Sequence, residues 1–164
     1  MLPITIVRNE LIKQGIKKDV IYFLTQTIVD SSDPAFKNPT KPVGAFYKTM
    51  EEAVEHNSKG SVIIEVPNKG FRRVVPSPKP ITFMGMENVK TAVNDHKLVI
   101  CGGGGGIPTI IENGFYKGVD GVIDKDYGAA MIAKQVNADM LIILTNVSCA
   151  CINYGKPDEQ TIHQ

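Results

Sequence analysis

The stretch "LVICGGGGGIPT", Leu98 to Thr109, decides how this chain is read. A short apolar run is followed by five consecutive glycines, Gly102, Gly103, Gly104, Gly105 and Gly106, and then by Ile-Pro. Strands covered on both faces of a sheet read as unbroken apolar runs, so "LVIC" reads as a buried strand. In open α/β sheets ligands bind outside the carboxyl ends of strands, which is where the glycines fall. Consecutive glycines adopt positive φ and carry no Cβ, so successive backbone N–H groups can turn toward an anion. Pro108 suits the first turn of a following helix, whose N-terminus would add positive potential. The run lacks the Gly-Lys-Ser/Thr ending of a nucleotide P-loop, and no ribose-binding acid is evident after it. On glycine content alone, a phosphate-facing loop and a tight turn packed on the sheet both stay open.

The flanks extend the pattern. "ENVKTAVNDHK", from Glu87, reads as an amphipathic helix, "YGAAMIAKQVNA" (Tyr127 to Ala138) as a second helix, and "MLIILT" (Met140 to Thr145) as a second buried strand. This helix–strand–loop–helix–strand order predicts an α/β domain with a parallel sheet. Upstream, Ile6 to Lys18 reads as a helix with Ile6, Val7, Leu11 and Ile12 on one face, and "DVIYFLTQTIVD" (Asp19 to Asp30) as a long strand. Ser31 to Tyr47 reads as loop, and Thr49 to Asn57 as a short helix with a Thr49/Glu52 capping box. "SVIIEV" and "FRRVV", joined by "PNKG", read as a hairpin, and "PSPKP" forces an extended connection. Residues Asp33 to Pro80 thus read as a small inserted subdomain.

Bulk properties bound the function. With 164 residues, 43% hydrophobic and 21% charged, the chain fits one globular domain. A net charge of +1 offers no basic excess for nucleic acid or a membrane surface. The amino terminus "MLPITIVRNELIKQG" does not read as a signal peptide, and the longest apolar run, "MLIIL", is far short of the ~20 residues of a membrane helix. The expectation is a cytoplasmic protein. The three cysteines, Cys101, Cys149 and Cys151, match no disulfide framework and favour a reducing compartment. Cys149 and Cys151 form a Cys-x-Cys pair with His163 nearby, but a structural metal site usually offers four ligands, so no metal is assigned.

Charged residues near the glycines suggest chemistry. In "VIDKD" (Val122 to Asp126), Asp126 can cap the following helix while the other charges are solvated. Alternatively, Lys125 is a cation for a transferring phosphoryl group, oriented by an aspartate. Lys41, between prolines in "NPTKPVG", is either an ordinary surface lysine or one stiffened to meet an anion.

Together "TQTIVDSSDPAFKNPTKPVGAFY", "FRRVVPSPKPI", "GGGGIP", "KGVDGVIDKD", "VNADMLIILT" and "NYGKPDEQ" resemble the carbamate kinases of the amino acid kinase family. The resemblance implies an α/β fold: a partial three-layer αβα sandwich with a small inserted α+β subdomain at 33–80, usually in a homodimer. It implies the reversible reaction of ATP with carbamate to give ADP and carbamoyl phosphate, Mg²⁺ accompanying the nucleotide, in arginine metabolism. It places Lys41 near the transferring phosphate and pairs Lys125 with Asp126, the aspartate organising the catalytic lysines. Gly102 to Gly106 line the cleft, and Asn146, Tyr154, Gly155 and Lys156 lie at the nucleotide edge. The family's "GGNA", "GNGPQVG" and "GSMGPKV" segments do not occur in this sequence, and its "LTDVDGVY" is here "LTNVSCAC". A chain truncated at both ends is therefore expected. It would be a working kinase, alone or with a complementary fragment, or a non-catalytic remnant or pseudokinase fragment that keeps a binding or dimerisation surface.

Overall fold

A computed structural model of the protein describes residues 2–145, 147–153 and 156–162. The elements are α1 (Leu2–Lys13), β1 (Val20–Tyr22), β2 (Gln26–Val29), β3 (Lys41–Tyr47), α2 (Met50–Glu55), β4 (Val62–Val66), β5 (Gly70–Val75) and β6 (Pro80–Phe83). They continue with α3 (Met86–Asn94), β7 (Leu98–Ile100), β8 (Ile107–Glu112), β9 (Phe115–Gly118), α4 (Lys125–Gln135), β10 (Cys151–Ile152) and β11 (Gln160–Thr161).

The centre is built from two parallel pairings that follow one another along the same chain segments. β1 pairs with β7, Tyr22 opposite Ile100; β2 then pairs with β8, Gln26 opposite Ile107. The sequence separation is 78 at the first pair and 81 at the second, so the β7–β8 segment carries three residues more than its partner. The excess is a 3-10 turn, Gly103–Gly105. "DVIYFLTQTIVD" is therefore not one strand: it breaks between Tyr22 and Gln26, opposite the glycines. β6 and β9 add antiparallel edges in the order β6-β2-β8-β9, so the sheet is mixed rather than parallel. Pro108 opens no helix; it sits in β8 opposite Thr27. The turn into β9 is Asn113-Gly114, both at positive φ, as a tight hairpin between right-twisted strands requires.

Two apolar clusters hold this centre. Val29, Ile110 and Ile123 form one, with Phe36 and Val119 against them. Phe83, Met86 and Val89 form the other, where α3 and the α4 residues Met131 and Ile132 meet Val99 and Cys101.

Residues 41–75 form a separate three-stranded antiparallel sheet, β3-β5-β4, carrying α2. Part of the segment expected as loop, Lys41–Tyr47, is thus a strand, because each end of it pairs with β5. Thr49 caps α2 as expected, accepting from Glu52 N at 3.2 Å. Glu52 reaches back to Lys48 N instead of the cap residue's own N–H.

Three further expectations are corrected. α1 ends at Lys13, not Lys18, because Gly15 turns left-handed and Ile16 N bonds Leu11 O at 2.9 Å, closing a Schellman motif. Its inward face is Ile4, Val7 and Leu11, while Ile6 and Ile12 are exposed. α4 runs Lys125–Gln135, two residues earlier than the apolar pattern starts, because Asp124 caps it. Finally, Met140 to Thr145 forms no strand: Ile142 is 71% and Leu144 91% exposed, and no described strand lies alongside to pair with it.

Candidate phosphate-facing site

The glycine turn is fixed from below by threonines of the crossing segment. Thr25 Oγ1 accepts from Gly102 N at 2.8 Å, and Thr27, fully buried, donates Oγ1–H to Gly105 O at 2.7 Å. Thr27 lies in β2 and Thr25 just before it, and both hydroxyls reach the glycine turn. From above, α4 presses on the turn: a Cβ on Gly128 would lie 3.4 Å from Gly105 Cα. Gly105 itself is at φ +91°, and a Cβ there would come within 2.5 Å of Ile123 O. A Cβ on Gly106, at φ +88°, would collide with Thr27 Oγ1. These two positions need glycine on steric and conformational grounds alike. Gly103 and Gly104 differ: they are exposed, and nothing lies within 4 Å of where their Cβ atoms would be. The two readings of the run thus divide between its residues. Gly102, Gly105 and Gly106 pack the turn, and Gly103 and Gly104 form its open rim.

Asp124 joins this turn to the small sheet. One oxygen, Oδ1, accepts from Asp126 N at 2.9 Å, capping α4. The other, Oδ2, accepts from Lys41 Nζ at 2.6 Å across 83 residues of sequence. Both side chains are partly shielded, and the Lys41 hydrogen bond holds the Asp124 carboxyl below the usual carboxylate range. Lys41 stands at the first position of β3, opposite Val75. The proline connection braces the same junction, since Pro76 O accepts from Val122 N at 2.9 Å and Pro78 is fully buried. Asp33 accepts from Lys79 N at 3.0 Å, tying the other end of that connection down.

Lys125 follows directly in the first turn of α4 and is exposed. Its Nζ donates to Asp126 Oδ1 at 2.8 Å, which raises the lysine's pKa. Asp126 thus holds Lys125, the two residues the resemblance pairs, whereas Lys41 is held by Asp124 and not by Asp126. Asp124, not Asp126, is also the helix cap. Sequence reasoning left Asp124 out of the site because "DKD" offers two aspartates of equal chemistry. The helix start that separates them needs extended backbone at the cap, and Asp124 has it at φ −65°, ψ 120°.

Of the remaining candidates only Lys156 is among the described residues. Asn146, Tyr154 and Gly155 lie outside the described residues, as does His163. Lys156 is exposed in the turn between β10 and β11, and no described contact joins it to Lys41 or Lys125. Among the described residues no three His, Cys, Asp or Glu side chains converge as metal ligands. Among the described residues no helix is long and apolar enough to cross a membrane. A separate cleft of about 760 Å³, lined by Arg8, Lys17, Lys18 and Lys97 among others, opens at the far end of β1 from the glycine turn. Its charges are partly spent, with Lys97 on Asp19 at 2.6 Å and Arg8 on Val20 O.

A glycine turn after a parallel strand, packed under the first turns of a helix whose Asp124 and Asp126 each hold a lysine, defines a class: an α/β protein with its candidate site at the carboxyl end of a strand. The chain belongs to the amino acid kinase family, whose family model matches residues 9–160. Among its relatives is the carbamate kinase-like protein of Mycoplasma pneumoniae, 49% identical over 159 residues, which are 97% of this chain and 51% of that protein. The carbamate kinase of Pyrococcus horikoshii is 50% identical over 152 residues, 93% of this chain and 48% of that one. The solved carbamate kinase from Giardia lamblia bound to AMP-PNP superimposes with a TM-score of 0.77 at 43% identity, over 97% of this chain and 51% of that chain. The chain spans about half the length of the relatives it matches.

Proposed function

We propose that this chain carries the lysine half of a carbamate kinase site, acting on ATP with carbamate or, in reverse, on ADP with carbamoyl phosphate. The observation that carries the reading is the Lys41–Asp124 pair, which sets a lysine from a distant strand beside the cap of the helix packed on the glycine turn. Phosphoryl transfer asks mainly for positioned positive charge where oxygens gather negative charge. Lys41 and Lys125 supply it, Asp124 and Asp126 fix their directions, and the rim at Gly103 and Gly104 lets a phosphate approach the backbone. Both carboxylates are engaged by lysines, so Mg²⁺ would travel with the nucleotide's phosphates, as it does where the protein offers no cage. Residues 33–80 act as the protruding subdomain that delivers Lys41. Tyr154, Gly155 and Lys156 with Asn146 form the nucleotide edge, and the site works in a cytoplasmic homodimer or with a complementary kinase fragment.

One observation favours a second reading, a binding or dimerisation module without turnover: the apolar segment Met140–Leu144 is left exposed and unpaired. The test is ATP formation from ADP and carbamoyl phosphate, coupled to luciferase, with Lys41→Ala and Lys125→Ala beside the unsubstituted chain. Lysine-dependent ATP formation supports the kinase reading. A folded chain indistinguishable from both variants overturns it and leaves the module.

A further inference from the structure

Cys149 and Cys151 lie outside the lysine site, and the fold brings them together. β10 and β11 form a short antiparallel ribbon with Cys151 opposite Thr161, and Ile162 N bonds Ala150 O at 2.9 Å. The bend at 147–149 turns Cys149 back over this ribbon, so its Sγ lies 3.8 Å from Cys151 Sγ. Both thiols are partly accessible. A disulfide needs the sulfurs at ~2.05 Å, a closure that side-chain rotation in an exposed ribbon can supply.

We propose that Cys149 and Cys151 form a redox-active dithiol, in which Cys149 attacks a low-molecular-weight disulfide and Cys151 resolves the product. The Cys149 thiolate attacks one sulfur of R–S–S–R; the S–S bond breaks, and RS⁻ leaves and takes up a proton. Cys151 then gives up its proton and attacks the Cys149 sulfur, breaking the mixed disulfide and releasing the second RS⁻, which is protonated in turn. The two protein thiols lose two electrons, and one R–S–S–R becomes two RSH. The order of attack follows the surroundings. The Ser148 hydroxyl at 3.7 Å and then the Cys151 thiol draw Cys149 below the ordinary thiol range, whereas burial pushes Cys151 up. More of Cys149 is therefore thiolate at a given pH, and thiolate is the nucleophile. Cys101 provides an internal contrast, being packed against the Phe83–Met86–Val89 cluster and raised by burial.

The experiment treats the full reduced chain with oxidised glutathione and follows intact mass and peptide maps. The expected result is loss of two hydrogens, a peptide linking Cys149 to Cys151, no retained glutathione and no covalent dimer. Cys151→Ser is expected to stop at a glutathione adduct on Cys149, and Cys149→Ser to react more slowly than the unsubstituted chain and to keep its adduct on Cys151. Cys101→Ser is expected to change nothing. A lasting single adduct on the unsubstituted chain, a disulfide-linked dimer, Cys101 reacting as fast as Cys149, or no reaction would each overturn the proposal. No outcome depends on kinase turnover, so the proposal and the kinase reading fail separately.

Discussion

"LVIC" and "MLIILT" are near-identical signals with opposite fates. The first enters the sheet as β7, paired with β1 and half-buried against α3. The second forms no strand and stays exposed, with Leu144 at 91%. Apolar continuity reports what a segment would gain by burial, not whether a partner arrives. A strand's backbone groups and side chains are satisfied only by neighbours, and among the described residues β1 pairs with the first run while no strand pairs with the second. The contrast extends to energetics. Around the glycine turn, substitutions should meet packed atoms, whereas along Met140–Leu144 they should meet water.

The largest break in that contrast is Gly105→Ala. A Cβ there sits at φ +91° within 2.5 Å of Ile123 O, so a loss of at least about 3 kcal/mol is expected in urea unfolding. Gly103→Ala, two residues away in open space, is expected to stay within about 0.5 kcal/mol of the unsubstituted chain. Equal effects at the two positions would mean that the turn is not packed as described.

Thr27→Val comes next. It keeps the shape but removes the buried donor to Gly105 O, and about 1–3 kcal/mol should be lost. Asp124 then separates capping from ion pairing. Asp124→Asn keeps a cap acceptor and should cost at most about 1 kcal/mol, since partly exposed pairs contribute little. Asp124→Ala loses the cap as well and should cost about 1 kcal/mol more. The pH dependence has a definite sign. Asp124 is held below its ordinary 3.8, so its contribution is complete above that value and is lost as pH falls through the lowered one. The gap between the unsubstituted chain and Asp124→Asn should therefore narrow in urea titrations taken from about pH 6 down to pH 3.

The smallest effect is expected at Leu144→Asp, within about 0.5 kcal/mol, because the side chain already faces solvent. Hydrogen exchange should show the same division, with amides of 140–145 unprotected and those of β2 and β8 among the slowest. If a complementary fragment binds this chain, protection at 140–145 should appear on mixing, and Leu144→Asp should then weaken the complex.

Much of the centre was legible in residue types. The strand before the glycines, the capped helix at Thr49 and the 62–75 hairpin follow from apolar runs, a side-chain oxygen before a helix, and turn chemistry. One feature was legible but not read. Asn113-Gly114 is a strong hairpin signal, yet Pro108 reads locally as a helix start, and only pairing with Thr27 decides for strand. The break in Asp19–Asp30 was not legible, because nothing in "YFLTQT" marks it. It is imposed from across the sheet, where the opposite segment carries the glycines. In the site, the lysines could be picked out by residue type, while the partner of Lys41 could not. Asp124 and Asp126 are chemically alike, and a contact spanning 83 residues leaves no local mark.

The three surplus residues of the β7–β8 segment form the turn whose open rim projects above the seam. Because the surplus is gathered into a single kink, its exposed edge is uncoupled from everything buried beneath it. Side chains could be added at Gly103 without sliding β2 past β8, since nothing lies within 4 Å of where its Cβ would be. The reach of the rim is thus adjustable, while the seam that carries it stays in place.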